Sequence, residues 1–102
     1  MAVRYSHEAF ATQLNTTFWL ATSGEPLPLE LIEVSPLRQS AQYESYSLEL
    51  RGPTNCYIPQ ASYRFEHAAI GPIEFLIVPI RQDAHGLYYE ASFNCLRAEV
   101  AA

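Results

Sequence analysis

The chain has 102 residues, enough for one domain with a single core and too few for two. Apolar residues make up 49% and charged residues 17%, so burial can offset the entropy of ordering the chain, which argues against disorder. Eleven acidic against six basic residues give a formal charge of −5, and the basic residues, Arg4, Arg38, Arg51, Arg64, Arg81 and Arg97, are scattered; both facts speak against binding a phosphate backbone or a membrane surface.

The opening MAVRYSHEAF lacks the apolar stretch of a signal peptide, and no apolar run approaches the ~18 residues of a membrane span. The expectation is a cytoplasmic protein of one β-rich domain over residues 1–102. Small domains are marginally stable and often gain from pairing, which keeps a homo-oligomer in view. Cys56 and Cys95 are too few for a disulfide scaffold and are expected as free thiols, although a small barrel can bring the two regions together.

Taken in chain order, the first element is a short helix over about His7–Leu14, with Ser6 as N-cap and with Phe10 and Leu14 on one edge. A single apolar edge suits a plug across one end of a sheet, and Asn15 ends the helix. From Thr17 the residues turn β-branched and aromatic, and six strands are expected. The first is Thr17–Thr22, closed by the turn formers Ser23 to Pro26; the second is Leu27–Ser35. In the second, Leu27, Leu29 and Leu31 share a face while Ile32 and Val34 lie on the other, so the apolar phase slips near Leu31. A β-bulge, as where a sheet curls into a barrel, or burial on both sides accounts for that.

The third strand, Glu44–Arg51, alternates cleanly with Tyr46, Leu48 and Leu50 inward. Gly52 to Asn55 end it, and a loop holding Cys56 and Tyr57 runs to Pro59-Gln60. The fourth, Ser62–His67, sets Tyr63 and Phe65 against Arg64 and Glu66; the fifth, Ile73–Ile80, is apolar on both faces. A polar turn, Arg81 to Gly86, leads to Leu87–Asn94, where Leu87, Tyr89, Ala91 and Phe93 share a face. The tail after Cys95 carries no strand signal and is expected to fray.

No reaction class is written in these residues. His7, His67 and His85 have no metal-ligand spacing and read as surface or capping histidines. A nucleophile pair drawn from Cys56 or Cys95 with His67 or His85 has no local support, since neither thiol precedes a helix. The carboxylate pairs Glu30 with Glu33 and Glu66 with Glu74 read as solvating outer-face charges, and phosphate-loop, dinucleotide and nucleophile-elbow motifs are absent. No catalytic, metal or cofactor residue is expected. The aromatic set, seven Tyr, five Phe and Trp19, exceeds what so small a core should need. Tyr43, Tyr46, Tyr57, Tyr88 and Tyr89 are therefore candidates for a contact surface, with plain β-propensity as the competing account.

Five blocks, SHEAFATQLNTTF, LELIEVSP, YSLELRGP, IPQASYRFEH and GPIEFLIVPIRQDAHGLYYEASFN, resemble a small bacterial family catalogued as a domain of unknown function, and the likeness runs end to end. The resemblance brings no activity or catalytic residue, and the cysteines stand outside its pattern. It implies members encoded near phage-tail-like structural genes, and hence a protein that packs against others. Together these readings give an all-β fold, six antiparallel strands in a meander barrel or closed sandwich behind one N-terminal helix. The expected function is a non-enzymatic interaction or structural module, an accessory subunit of a phage-tail-like bacterial assembly, with a protein partner or a second copy bound at a strand edge or aromatic patch. The alternative is a barrel that binds or processes a small ligand, with His67, Glu66 and tyrosines at one mouth.

Overall fold

A computed structural model describes residues 7–96 of the chain. The Ser6 cap and the tail 97–102 lie outside the described residues. Helix α1 (His7–Ala11) is followed by seven strands: β1 (Thr17–Leu20), β2 (Leu27–Val34), β3 (Arg38–Gln39), β4 (Tyr43–Gly52), β5 (Ala61–His67), β6 (Gly71–Asp83) and β7 (Gly86–Leu96). Among the described residues no helix is long and apolar enough to cross a membrane.

All six expected strands are present, and they close into an antiparallel barrel in the ring order β1-β2-β4-β7-β6-β5, with β5 returning to β1. The order is two meanders joined, β1-β2-β4 and β5-β6-β7, with non-sequential pairs at the seams. The plain meander of the sequence reading is corrected there, because the loop between β4 and β5 crosses one mouth and β5 then pairs with β1 through Phe65 and Glu66 instead of with β4. The anticipated slip in β2 is a bulge: Leu31 pairs with Leu50 and Glu33 with Glu49, leaving Ile32 as the extra residue. A second bulge at Ile80, beside Pro79, bends β6.

The extra strand, β3, pairs only with β4, through Arg38 opposite Ser45 and Gln39 opposite Glu44. Two residues are too few to show a two-residue period, so nothing in the sequence marked them. The helix is shorter than expected. Its last i to i−4 bond is Thr12 N–H to the Glu8 carbonyl; Gln13 and Leu14 then donate three residues back, and Asn15 enters the left-handed region at φ 68° to turn the chain into β1.

The interior is filled. Phe18 of β1, Tyr46 of β4, Phe65 of β5, Phe75 of β6 and Phe93 of β7 form an aromatic layer, and Phe10 from α1 drops into it with no exposed surface. Phe10 has ring centroids 5.4 Å from Phe93, 6.1 Å from Tyr46, 6.2 Å from Phe18 and 6.4 Å from Phe75. The expected plug is therefore realised through one side chain. At the far mouth the β4–β5 loop returns Ile58 to the core, its N–H donating to the Tyr89 hydroxyl at 3.0 Å. The β6–β7 turn requires glycine at position 86, where a Cβ would lie 2.5 Å from the Gly52 carbonyl oxygen.

Candidate functional site

Strand phase decides which aromatic residues meet solvent. Tyr46, Tyr88 and Tyr89 are buried, at 7%, 5% and 0% exposure, so three of the residues expected on a contact surface are inside; Tyr57 and Tyr43, at 64% and 46%, are outside. Aromatic side chains are not in excess: the layer around Phe10 consumes them, and Tyr89 is the anchor of the second mouth. Tyr88 points away from the barrel axis but is covered by its neighbours. The Arg81 guanidinium lies 4.1 Å over its ring, and its hydroxyl donates to the Asp83 carboxylate at 2.9 Å. Arg81 in turn pairs with Glu49, and Arg51 pairs with Glu30 at 2.6 Å. Backbone N–H donation from His85, assisted by Tyr88 and Gly86, holds the Asp83 carboxyl below the usual carboxylate range. This belt staples the β6–β7 hairpin to the barrel wall and leaves Tyr88 no free face.

The exposed tyrosines do not converge. Tyr43 begins β4 near the helix-capped mouth, and Tyr57 sits in the loop over the opposite one. Among the aromatic residues that line surface clefts, the exposed one is Trp19, whereas Tyr46 and Phe93 reach the floor of a cleft from the barrel interior. In β1 Phe18 and Leu20 face inward, which places Trp19 outward, 44% exposed. The cleft around it, about 560 Å³, is walled by Trp19, Ala21, Thr22, Gly24 and Pro26, with Glu66 of β5 at its side. Trp19 and Glu66 are direct cross-strand partners, so the indole and the carboxylate stand side by side on the outer surface. The β1–β2 turn uses its own polar atoms internally: the Thr22 hydroxyl donates to the Glu25 carbonyl at 2.7 Å and accepts from Gly24 N–H at 3.0 Å. What remains for a visitor is an apolar wall and one carboxylate.

His67 is not on the surface, contrary to that part of the sequence reading, though it does cap a turn. It is 6% exposed, and its ring lies 4.3 Å from that of Phe18. Nδ1 accepts from the backbone N–H groups of Ala69 and Ile70 at 3.0 and 3.2 Å, so the proton sits on Nε2, which donates to Thr16 Oγ1 at 2.8 Å. The Thr16 hydroxyl in turn donates a hydrogen bond to the Gln13 carbonyl at 2.6 Å. Burial pushes the imidazole below its ordinary pKa. Because neighbours on a strand face opposite ways, His67 and Glu66 do not share a mouth, and the constellation imagined for a ligand-processing barrel is not assembled. His7 donates through Nε2 to the Ser35 carbonyl at 2.7 Å, and His85 lies exposed in the hairpin turn. Cys56 is a free thiol. Among the described residues no three of His, Cys, Asp and Glu gather as metal ligands.

A second surface cleft, about 360 Å³, is mixed in character, with Ser45, Ser47, Ser92 and Asn94 on the outside of β4 and β7, Arg38 and Glu90 beside them, and Tyr46 and Phe93 beneath. It holds neither a convergent catalytic pair nor an exposed aromatic ring. Of the tyrosines expected at the surface, the structure thus keeps Tyr43 and Tyr57 outside and buries Tyr46, Tyr88 and Tyr89, while Trp19 is exposed in their stead. The signal for Trp19 was available: any phase that buries Phe18 and Leu20 in TFWLAT exposes the residue between them.

Comparison with known proteins found no match among curated proteins and none among solved structures. A family model does match, over residues 5–93, and so takes in α1, six of the seven strands whole and most of β7. The chain belongs to the family described as Domain of unknown function (DUF6916).

Proposed function

We propose that this chain is a non-enzymatic interaction module, an accessory subunit that docks onto another protein through the Trp19 cleft. The observation that supports the reading is an exposed tryptophan in an apolar recess on a barrel whose interior is occupied by its own side chains. Tryptophan is enriched among residues that dominate binding energy, and apolar recesses rimmed by polar groups mark contact sites. The phage-tail-like bacterial assembly is the finer part of this proposal and rests on the family resemblance read above.

A photoreactive amino acid placed at Thr22, on the cleft rim, tests it in the native host against one placed at Gln82, near the tip of the β6–β7 hairpin. The expected result is one dominant adduct from position 22 that is absent from position 82 and lost when Trp19→Gln is added. The adduct partner, purified, should then bind the wild-type chain and not the variant. Equal adducts from both positions, or adducts indifferent to Trp19, overturn the reading. Sedimentation of the pure chain over a wide concentration range separates a second copy from a different partner.

A further inference from the structure

We propose that the Trp19 cleft is specific for a cationic segment of the partner, a Lys or Arg flanked by apolar residues, whose aliphatic stem crosses the indole while its charged head meets Glu66. The inference rests on the docking reading above and adds the chemistry of the occupant. Among the described residues Glu66 is the only charged side chain lining the cleft, and it stands directly across from Trp19 in register. An indole face beside a carboxylate attracts a cation twice, through the ring quadrupole and through the charge. An anionic segment meets the Glu66 charge in the cleft itself, and the formal charge of −5 on the whole chain adds to that repulsion.

Glu66 is available for that contact. Its one cationic neighbour among the described residues, Arg64, reaches it at 4.0 Å, with the Glu66 and Arg64 side chains 57% and 66% exposed, a solvated contact worth little. Arg64 stands opposite Glu74 on β6, so an incoming cation can displace it toward a second carboxylate without leaving it unpaired. The outer-face carboxylates near other arginines are committed, Glu30 to Arg51 and Glu49 to Arg81. The recess, about 560 Å³, suits one long side chain with part of a neighbour, and its walls offer a stem apolar contact without competing hydrogen-bond donors from the turn.

The chain contains a single tryptophan, so tryptophan emission, excited at the red edge where its seven tyrosines do not absorb, reports this cleft alone. Three capped tripeptides, Leu-Arg-Leu, Leu-citrulline-Leu and Leu-Glu-Leu, serve as probes at low salt. The arginine peptide should shift Trp19 emission saturably, with half-saturation about fivefold lower than for the neutral citrulline peptide, and the glutamate peptide should be weakest. Glu66→Gln, an exposed and fold-neutral change, should erase the difference between arginine and citrulline, and so should 1 M salt. Equal half-saturation for arginine and citrulline overturns the charge specificity while leaving docking at Trp19 intact. A failure of all three peptides to shift the emission overturns the specificity as well, and the cross-linking at position 22 then decides separately whether the cleft docks a protein.

Discussion

At one mouth of the barrel the stopper is a side chain, Phe10, set among four aromatic rings; at the other it is a loop, held where Ile58 hangs by its backbone N–H from the Tyr89 hydroxyl. The first closure is apolar contact over a large area, non-directional and tolerant of small shifts. The second depends on the direction of one hydrogen bond inside a buried site, where burial also pushes the Tyr89 phenol up from its ordinary pKa. The two closures follow from how the chain supplies them. A helix before the first strand can present an apolar edge, whereas a connection between strands brings backbone polar groups that must be satisfied when it crosses the core. Both closures set the chain's own groups between the walls, and the exposed aromatic ring in a cleft, Trp19, lies on the outer surface.

The comparison breaks most visibly at Phe10. Phe10→Ala removes the plug and leaves a cavity ringed by aromatic side chains that cannot collapse, with an expected loss of about 3–5 kcal/mol in urea unfolding. A loss below about 1 kcal/mol would mean that the helix is not seated in solution. The same substitution should not alter the exchange rate of the Ile58 amide relative to global unfolding, because that amide belongs to the other mouth.

The loop closure is sharpened by Tyr89→Phe, which keeps the ring and deletes the acceptor. A buried N–H at Ile58 is then left without a partner, at an expected cost of about 1–3 kcal/mol. Hydrogen exchange at Ile58 should accelerate more than at Leu48 or Leu50 in the barrel wall. Unchanged exchange at Ile58 would show that the loop is held by its apolar side chain alone.

How far the residues foretold this molecule differs between its parts. The strands were legible because Tyr46, Leu48 and Leu50, or Phe65 against Arg64 and Glu66, repeat with the period of a pleat, and the phase slip at Leu31 marked a real bulge. The seams between β4 and β7 and between β1 and β5 were not legible, since pairing of strands distant in sequence leaves no local pattern. Nor was the environment of Tyr88, an outward residue buried by Arg81 and Asp83, whose contacts arise only once β6 and β7 are paired. Trp19 is the instructive case. Tyrosine's polar tip made it the favoured surface aromatic, but placement is decided by strand phase, and phase put the tryptophan outside and Tyr46 and Tyr89 inside.

The smallest effect expected is a pH dependence at the helix-capped mouth, where His67 ties the β5–β6 turn to Thr16. The neutral ring uses Nδ1 as acceptor for two backbone N–H groups, so a second proton, placed on Nδ1, would face two donors and break both contacts. Burial already disfavours the charged form and lowers the folded-state pKa, while the unfolded chain takes up its proton near the ordinary value of about 6.5. Between those two values the unfolded state binds more protons, so stability is fully present above about pH 6.5 and declines as pH falls through the window beneath it. Chemical unfolding at several pH values should show this slope in the wild-type chain. His67→Gln, which cannot take the proton, should be less stable at neutral pH yet flatter across the same window, and the difference between the two curves isolates His67 from His7 and His85. Parallel curves would place the pH sensitivity of this mouth elsewhere and leave the turn held by its backbone.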